Sequence, residues 1–177
     1  TDAEWRMLIR RCPSKSFTIV GDRAQARHGF TESWEQRLAH VGIRRTAVSH
    51  LSINDRTPAE VMAEAEPAIR AAIPDANVPS SVRSSGIPVA HGAVASLETV
   101  LDEWLAGNDE GTACVIGATE TIHRERVAFM TAADSKGLEF DFVVLVEPAA
   151  LGVGIEGAAD RSVAMTRATK QLAILER

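Results

Sequence analysis

Residues 135–146 read SKGLEFDFVVLV, and this stretch decides the class of fold. Its second part, Phe142–Val146, is a continuous apolar run that predicts a buried strand. Its first part places a lysine, a glycine and two carboxylates directly before that strand. The stretch therefore raises the question of why charged residues and a glycine stand directly before a buried strand.

Three more apolar runs are continuous rather than alternating, at Ala113–Ile116, Val127–Met130 and Leu172–Leu175. Helical patterns lie between apolar runs, and the clearest is the stripe over residues 97–105. Continuous strands interleaved with helices predict an α/β fold, a parallel sheet with helices on both faces. In such sheets ligands bind at the carboxyl ends of the strands.

The first half of the chain carries weaker patterns. Thr1–Glu4 has the form of a capping box before an amphipathic helix. Phe17–Val20 and Arg45–Leu51 are predicted to be strands. A further helix is predicted to begin near Thr57, with Pro67 kinking or splitting it because proline clashes with the preceding turn.

The composition excludes several classes of protein. With 24 acidic and 19 basic side chains, the 177 residues carry a net charge of −5, so any nucleic-acid contact would have to be local. Cys12 and Cys114 lack partners at metal-ligand spacing, which predicts no disulfide framework, no metal site and a reducing cytoplasm. No apolar run approaches the roughly 20 residues of a membrane span, so no membrane partner is expected.

Polar residues cluster at four places beside predicted strands, and the first two lie in the N-terminal third. In GDRAQ, Gly21 allows a sharp turn, while Asp22 and Gln25 could face a phosphate or its attacking water. In LSINDRT, Arg56 directly precedes a helix N-terminus, an arrangement that suits an anion.

The other two clusters lie near the C-terminus. In SKGLEFD, a helical turn is expected to begin at Ser135, with Gly137 letting the backbone approach a ligand, Glu139 binding a sugar hydroxyl and Asp141 bracing the turn. In VAMTRATK, Arg167 could supply charge to a transferring phosphoryl group. Taken singly, each of the four also fits an ordinary turn, cap or basic helix end.

In this order, GDRAQ, LSINDR, SKGLEFD and VAMTRAT resemble the third to sixth motifs of superfamily 1 helicases of the UvrD and Rep type. The flanks EWRMLIRRCPSKSFTIVGD and RTPAEVM resemble the HelD branch most, whose members act on RNA polymerase. The resemblance implies a RecA-like P-loop NTPase fold. Residues 36–177 would be the second RecA-like motor domain, and residues 1–35 would remain from the first domain, after its Walker B motif.

The resemblance also implies roles for single residues. Gln25 would sense the γ-phosphate, and Arg56 and Arg167 would grip it, which makes these three the catalytic set. Thr131 would contact the backbone of a single strand of nucleic acid. The implied nucleotide-binding set is Gly21, Asp22, Gln25, Arg56, Gly137, Glu139 and Arg167.

Several family features are absent from the 177 residues. No Gly-x-x-x-x-Gly-Lys-Ser/Thr loop occurs, and the Asp-Glu pair at 102–103 falls on a predicted helix, so the ligands of the implied ATP and Mg²⁺ are expected upstream of Thr1. Asp55 and Ser162 stand where the family usually has tyrosines, which leaves the base preference open. Ala133 replaces a family histidine.

The predicted function is that of the C-terminal motor segment of a cytoplasmic, ATP-dependent DNA helicase or translocase. Its partners would be single-stranded or tailed duplex DNA and the first RecA-like domain of the same chain. The segment alone is expected to be inactive. The alternatives are a HelD-like ATPase that displaces or recycles RNA polymerase, and a non-hydrolysing RecA-like module that only binds a partner.

Overall fold

A computed structural model describes residues 2–25 and 32–177, and its centre is a five-stranded sheet. All neighbouring strands of this sheet run parallel. In spatial order the strands are β3 (Ala90–Ala93), β7 (Ala168–Glu176), β6 (Phe140–Val146), β4 (Ala113–Ile116) and β5 (Val127–Met130). A separate two-stranded ladder joins β1 (Ile53–Asn54) to β2 (Ser80–Ser81).

The central strand β6 contains the apolar run that the sequence singled out. Val143, Val144 and Leu145 are 0% exposed, because β4 and β7 flank the strand and helices cover both of its faces. Burying each such side chain contributes about 1.5–3 kcal/mol. The prediction of a buried parallel strand is confirmed, although the strand begins two residues earlier, at Phe140.

The described residues form five α-helices, of which the last three cover the main sheet: α1 (Asp2–Arg11), α2 (Trp34–His40), α3 (Ala59–Ala72), α4 (Leu97–Gly107) and α5 (Gly154–Met165). Residues of α3 and α5, such as Val61 and Ala164, pack on one face of the sheet with Val143 and Leu145. On the other face, α4 contributes Leu97, Leu101 and Trp104. The predicted α/β fold with helices on both faces is confirmed.

Two predicted strands are wrong. Phe17–Val20 and Arg45–Leu51 form no strand, and Val20 and Leu51 are 88% and 76% exposed. A strand needs a neighbouring backbone to pair with, and all five strands of the main sheet come from residues 90–176. The apolar pattern alone therefore could not make these stretches into strands.

The helices of the first half follow the predictions with two differences. Helix α1 forms as expected, but it contains no buried residue, and the Thr1 end of its predicted capping box lies outside the described residues. Helix α3 begins at Ala59, one residue after Pro58, and runs through Pro67 without being split. Buried side chains on both sides of Pro67, including Ala65 and Ile69, hold the helix together across the missing hydrogen bond.

The part of the chain that the structure describes holds no helix with the length and hydrophobicity of a membrane span.

The two cysteines are expected to differ sharply in reactivity. Cys114 lies in β4 with no exposed surface, and burial raises the pKa of its thiol to about 12. Cys12 is partly exposed, and a hydrogen bond with the Ser14 hydroxyl lowers the pKa of its thiol. Because the thiolate is the reactive form, a disulfide reagent at neutral pH should modify Cys12 and leave Cys114 intact until the protein unfolds. Rapid labelling of a native Cys12→Ser variant would contradict this.

Candidate nucleotide site

All four polar clusters contribute to the wall of one cavity of about 1290 Å³, the VAMTRATK cluster through Thr166. The cavity lies between residues 15–25 and 33–57 on one side and the helices α3 and α5 on the other. Of the residues predicted for the site, five line its wall: Gly21, Asp22, Gln25, Arg56 and Glu139. Gly137, Arg167 and Thr131 do not line it. The tertiary structure therefore brings together residues from all four motif-like strings, which lie far apart in the sequence.

Arg56 is placed by the short turn that precedes α3. The Asn54 side-chain oxygen accepts hydrogen bonds from the backbone N–H groups of Arg56 and Thr57 at 3.0 and 3.1 Å. The Arg56 guanidinium then donates to Glu139 Oε1 at 3.3 Å and to the Thr166 carbonyl at 3.4 Å. Its Nε atom is buried and has no partner among the described residues. A donor of this kind at a cavity wall fits an anionic ligand.

The Arg56–Glu139 pair is weak enough to be exchanged. Both side chains are substantially exposed, at 37% and 52%, and the contact of 3.3 Å is long for a charged hydrogen bond. A phosphate that entered the cavity could replace the Glu139 carboxylate on Arg56 at little cost. Glu139 would then be free to accept a hydrogen bond from another part of the same ligand.

Arg167 occupies a different environment from the one predicted. It lies two residues after the end of α5 and is only 2% exposed, so it stands behind the cavity wall and is not presented from the helix. Its guanidinium donates to the carbonyls of Val163 and Leu138 at 3.1 and 3.3 Å, and to Thr166 Oγ1 at 3.4 Å. Burial, and next the nearby positive charge of Arg56, lower the pKa of Arg167. In this structure Arg167 therefore ties the end of α5 to the turn before β6.

The start of the SKGLEFD stretch forms hydrogen-bonded turns, so the predicted helical turn at Ser135 is wrong. The reason is Gly137, which has φ +82° and so leaves the helical region. Ser135 is 0% exposed and donates its hydroxyl to the Ala132 carbonyl at 2.8 Å. Lys136 donates to the Gln25 carbonyl at 3.1 Å, which joins this turn to the GDRAQ stretch.

Asp141 braces a different part of the chain from the turn that it was predicted to brace. Its Oδ2 atom accepts the Thr112 N–H at 2.9 Å, and Lys170 lies 2.8 Å from its Oδ1 atom. The Lys170 contact is the main cause that lowers the pKa of Asp141. The charged residues near the start of the core strand therefore have two roles. Lys136 and Glu139 bind Gln25 and Arg56, which line the cavity, whereas Asp141 holds the start of β4.

The GDRAQ stretch forms a short turn at Arg23–Gln25. Asp22 accepts the Ala24 N–H at 2.8 Å through one oxygen and the Gln25 side-chain amide at 2.8 Å through the other. Arg23 forms an ion pair with Asp75 at 2.8 Å, beyond the end of α3. Asp22 and Gln25 therefore act as a unit that is oriented by its own turn.

Thr131 lies at the carboxyl end of β5, away from the cavity. Its hydroxyl donates to the Asp134 carboxylate at 2.7 Å and accepts the Asp134 N–H at 3.1 Å. Within the described residues, no three His, Cys, Asp or Glu side chains cluster closely enough to hold a metal ion.

The match to a family model assigns the chain to a protein family. The family model of the viral superfamily 1 RNA helicase core domain matches residues 2–176. The chain belongs to this family. The parallel sheet of this helicase core is accordingly of the RecA-like type, and helicases of this superfamily use a nucleoside triphosphate and bind nucleic acid. A search of curated proteins found no match.

Solved structures with a similar fold are distant from this helicase core. The C-terminal domain of a possible DNA helicase from Lactobacillus plantarum WCFS1 is 16% identical, with a TM-score of 0.49 over 70% of this chain and 87% of that one. The arterivirus nonstructural protein 10 (helicase) is 18% identical, with a TM-score of 0.39 over 71% of this chain and 25% of that one. The PRRSV nsp10 helicase is 15% identical over 70% of this chain and 23% of that one, with a TM-score of 0.38. The chain thus spans about a quarter of the length of these viral helicases.

Sequence reasoning missed two features of the site. Asn54 was not singled out, although an asparagine two residues before Arg56 is a typical start for a turn held by its own side chain. The contact between Lys136 and Gln25 spans 111 residues, and no local pattern could have indicated it.

Proposed function

We propose that this helicase core is the C-terminal part of an NTP-driven superfamily 1 motor. Residues 36–177 would form the second RecA-like domain, and residues 1–35 would belong to the first. The observation that carries the proposal is the shared cavity wall of Gln25, Arg56 and Glu139, in which the Arg56 Nε donor has no partner in the part of the chain that the structure describes. Membership of a helicase family supports the same assignment.

In this proposal the cavity binds the nucleotide, with ATP as the expected substrate. Arg56 exchanges Glu139 for a phosphate oxygen, and the released Glu139 accepts a ribose hydroxyl. Gln25, oriented by Asp22 and Gly21, faces the γ-phosphate, and the backbone at Gly137 lies near the nucleotide. Arg167 stabilises the charge that develops during phosphoryl transfer, as arginines do in related motors. Mg²⁺ would neutralise phosphate charge, held by carboxylates outside the 177 residues.

The work of the motor is proposed to be translocation on DNA, with Thr131 as one contact to the nucleic-acid backbone. The resemblance of the four strings to UvrD and Rep supports DNA. The matched family is described as an RNA helicase core, so RNA is the substrate that the experiment must set against it. We expect a cytoplasmic setting, since both thiols are free.

A HelD-like ATPase that displaces or recycles RNA polymerase is the second candidate. It is favoured by the two HelD-like flanks, EWRMLIRRCPSKSFTIVGD and RTPAEVM, and by Ala133 in place of the family histidine. The third, a non-hydrolysing binding module, would need an intact protein that lacks the phosphate loop.

The proposed function predicts nucleic-acid-stimulated NTP hydrolysis by the intact protein. ATPase rates would be measured alone, with oligo(dT), with poly(U) and with RNA polymerase, and the isolated 177-residue chain would serve as the control without a phosphate loop. The strongest stimulation should come from oligo(dT), and the isolated chain should show none. Stimulation by poly(U) alone would make the substrate RNA, and stimulation by polymerase alone would favour the second candidate. Absence of hydrolysis in every mixture would overturn the motor assignment.

A further inference from the structure

A carboxylate clamp lies beside Arg56, and the nucleotide site itself does not use it. Glu60, in the first turn of α3, accepts hydrogen bonds from the Ser84 hydroxyl, the Ser85 N–H at 3.2 Å and the Gly86 N–H at 3.0 Å. These bonds, led by the Ser84 hydroxyl, lower the pKa of Glu60 to about 2. The carboxylate therefore stays ionised at every pH at which the protein would work.

Residues 81–86, which we name the brace loop, reach from this clamp to the backbone of the site arginine. Arg83 donates from its guanidinium to the Arg56 carbonyl at 3.3 Å, and its own carbonyl accepts the Ala59 N–H at 2.8 Å. The Ser81 hydroxyl donates to the Thr57 carbonyl at 2.6 Å. The brace loop thus holds the carbonyls of Arg56 and Thr57 at the start of α3.

The backbone must locate Arg56, because its side-chain contacts are loose. The guanidinium reaches Glu139 and Thr166 at 3.3 and 3.4 Å, and the side chain is 37% exposed. Contacts this long and this accessible to water do little to hold a flexible side chain in one geometry. The shorter bonds in the region fix the backbone instead. Asn54 accepts the Arg56 N–H at 3.0 Å, and the brace loop bonds to the residues that follow Arg56, with the Thr57 carbonyl accepting from Ser81 at 2.6 Å and the Ala59 N–H donating to the Arg83 carbonyl at 2.8 Å.

We propose that Glu60 is a positioning residue for the nucleotide reaction: it anchors the brace loop, which fixes the Arg56 backbone and so aims the guanidinium at the bound phosphate. The inference rests on the proposed role of Arg56 as a phosphate contact. Glu60 itself touches no ligand and acts only through Arg56. A displacement of about 1 Å in such a group is enough to cost up to about 10²-fold in rate.

The chain offers a matched control four residues further along α3. Glu64 is also a partly exposed glutamate of this helix. It contacts His91 at 3.6 Å and lies outside both the cavity and the brace loop. Glu60→Gln keeps the shape of the side chain and replaces one acceptor oxygen with an amide NH2 group, itself a donor, which would face the Ser84, Ser85 and Gly86 donors. Glu64→Gln makes the same chemical change where no positioning is proposed.

The test measures ATPase kinetics of the intact protein for four variants: Glu60→Gln, Glu64→Gln, Arg56→Ala and the Glu60→Gln/Arg56→Ala pair. Glu60→Gln should lower kcat about 10-fold or more, and Glu64→Gln should leave it unchanged. In the Arg56→Ala background, Glu60→Gln should change kcat by no more than about twofold, because it acts through the missing side chain. Hydrogen exchange at the Ser85 and Gly86 amides should accelerate in both variants that carry Glu60→Gln, and not in Glu64→Gln or Arg56→Ala. This measurement reports the loosened loop without reference to activity.

Each other outcome has a definite meaning. If Arg56→Ala lowers turnover while Glu60→Gln does not, the positioning role is wrong and the proposed function stands. If the two effects multiply fully in the double variant, Glu60 acts by some route other than Arg56, and the positioning role is again wrong. If Arg56→Ala leaves turnover unchanged, the phosphate role of Arg56 fails, and the inference built on it fails with it.

Discussion

Arg167→Ala in the intact protein is expected to lower ATP turnover by about 10³-fold, the scale seen when a motor loses an arginine that stabilises phosphoryl transfer. The guanidinium now bonds to carbonyls behind the cavity wall, at 2% exposure. To act on phosphate it must exchange those bonds when nucleotide binds. Its contribution would therefore come late in the reaction, and nucleotide affinity should change much less than kcat. Single-turnover hydrolysis and nucleotide titration would measure the two quantities separately.

The buried contacts of Arg167 require a control for folding. Arg161, within α5, donates to the Gly152 carbonyl at 2.7 Å and lies outside the cavity, so Arg161→Ala should leave turnover unchanged. Thermal unfolding of both variants would show whether the helicase core remains folded. Equal losses in affinity and turnover for Arg167→Ala would make it a ground-state phosphate contact. A folded Arg167→Ala protein with normal turnover would make it purely structural, a tie between α5 and the turn before β6.

Phe142→Ala should lower the free energy of unfolding of the chain by about 3–5 kcal/mol, the range for removing a large aromatic side chain from a packed core. Phe142 is 2% exposed and stacks on Trp104, with ring centroids 5.5 Å apart and planes at 23°. The substitution removes this contact between β6 and α4 and leaves a cavity that neighbouring side chains fill only in part. Guanidinium unfolding followed by tryptophan fluorescence would measure the loss.

Val153→Ala is the comparison for the core variant. Val153 is 89% exposed just before α5, so its truncation should change the unfolding free energy by less than about 0.5 kcal/mol. A loss of under about 1 kcal/mol for Phe142→Ala would show that this face of the sheet is not the stabilising core.

Sequence patterns located the short apolar strands. Ala113–Ile116 and Val127–Met130 have the predicted bounds, because a continuous apolar run is a local pattern, although the first strand is fully buried and the second, at the sheet edge, is half-buried. The helix at 97–107 was predicted for the same reason, from its stripe of Leu97, Leu101 and Trp104. The order of the four polar strings was also sufficient to suggest a helicase, and the family match agrees with that.

Pairing was not predictable in the same way. Ala90–Ala93 reads AHGA, a poor strand sequence. It nevertheless forms the edge strand β3, because the backbone of β7 pairs with it. Phe17–Val20 is a better strand sequence, but no neighbouring backbone pairs with it in the structure. Strand formation depends on the partner as much as on the residue, and the partner is a property of the whole fold.

By itself, the sequence determined the buried strands, the helices that cover them and the residue types of the candidate site, because hydrophobic burial and turn chemistry are set by residues close together in the chain. Only the tertiary structure decided what those site residues do to one another. Arg56 meets Glu139 across 83 residues and Thr166 across 110, while Arg167, from the same string as Thr166, turns inward to backbone carbonyls. Which arginine faces the cavity and which supports it follows from where the strands end in space, and the order of residues along the chain does not contain that information.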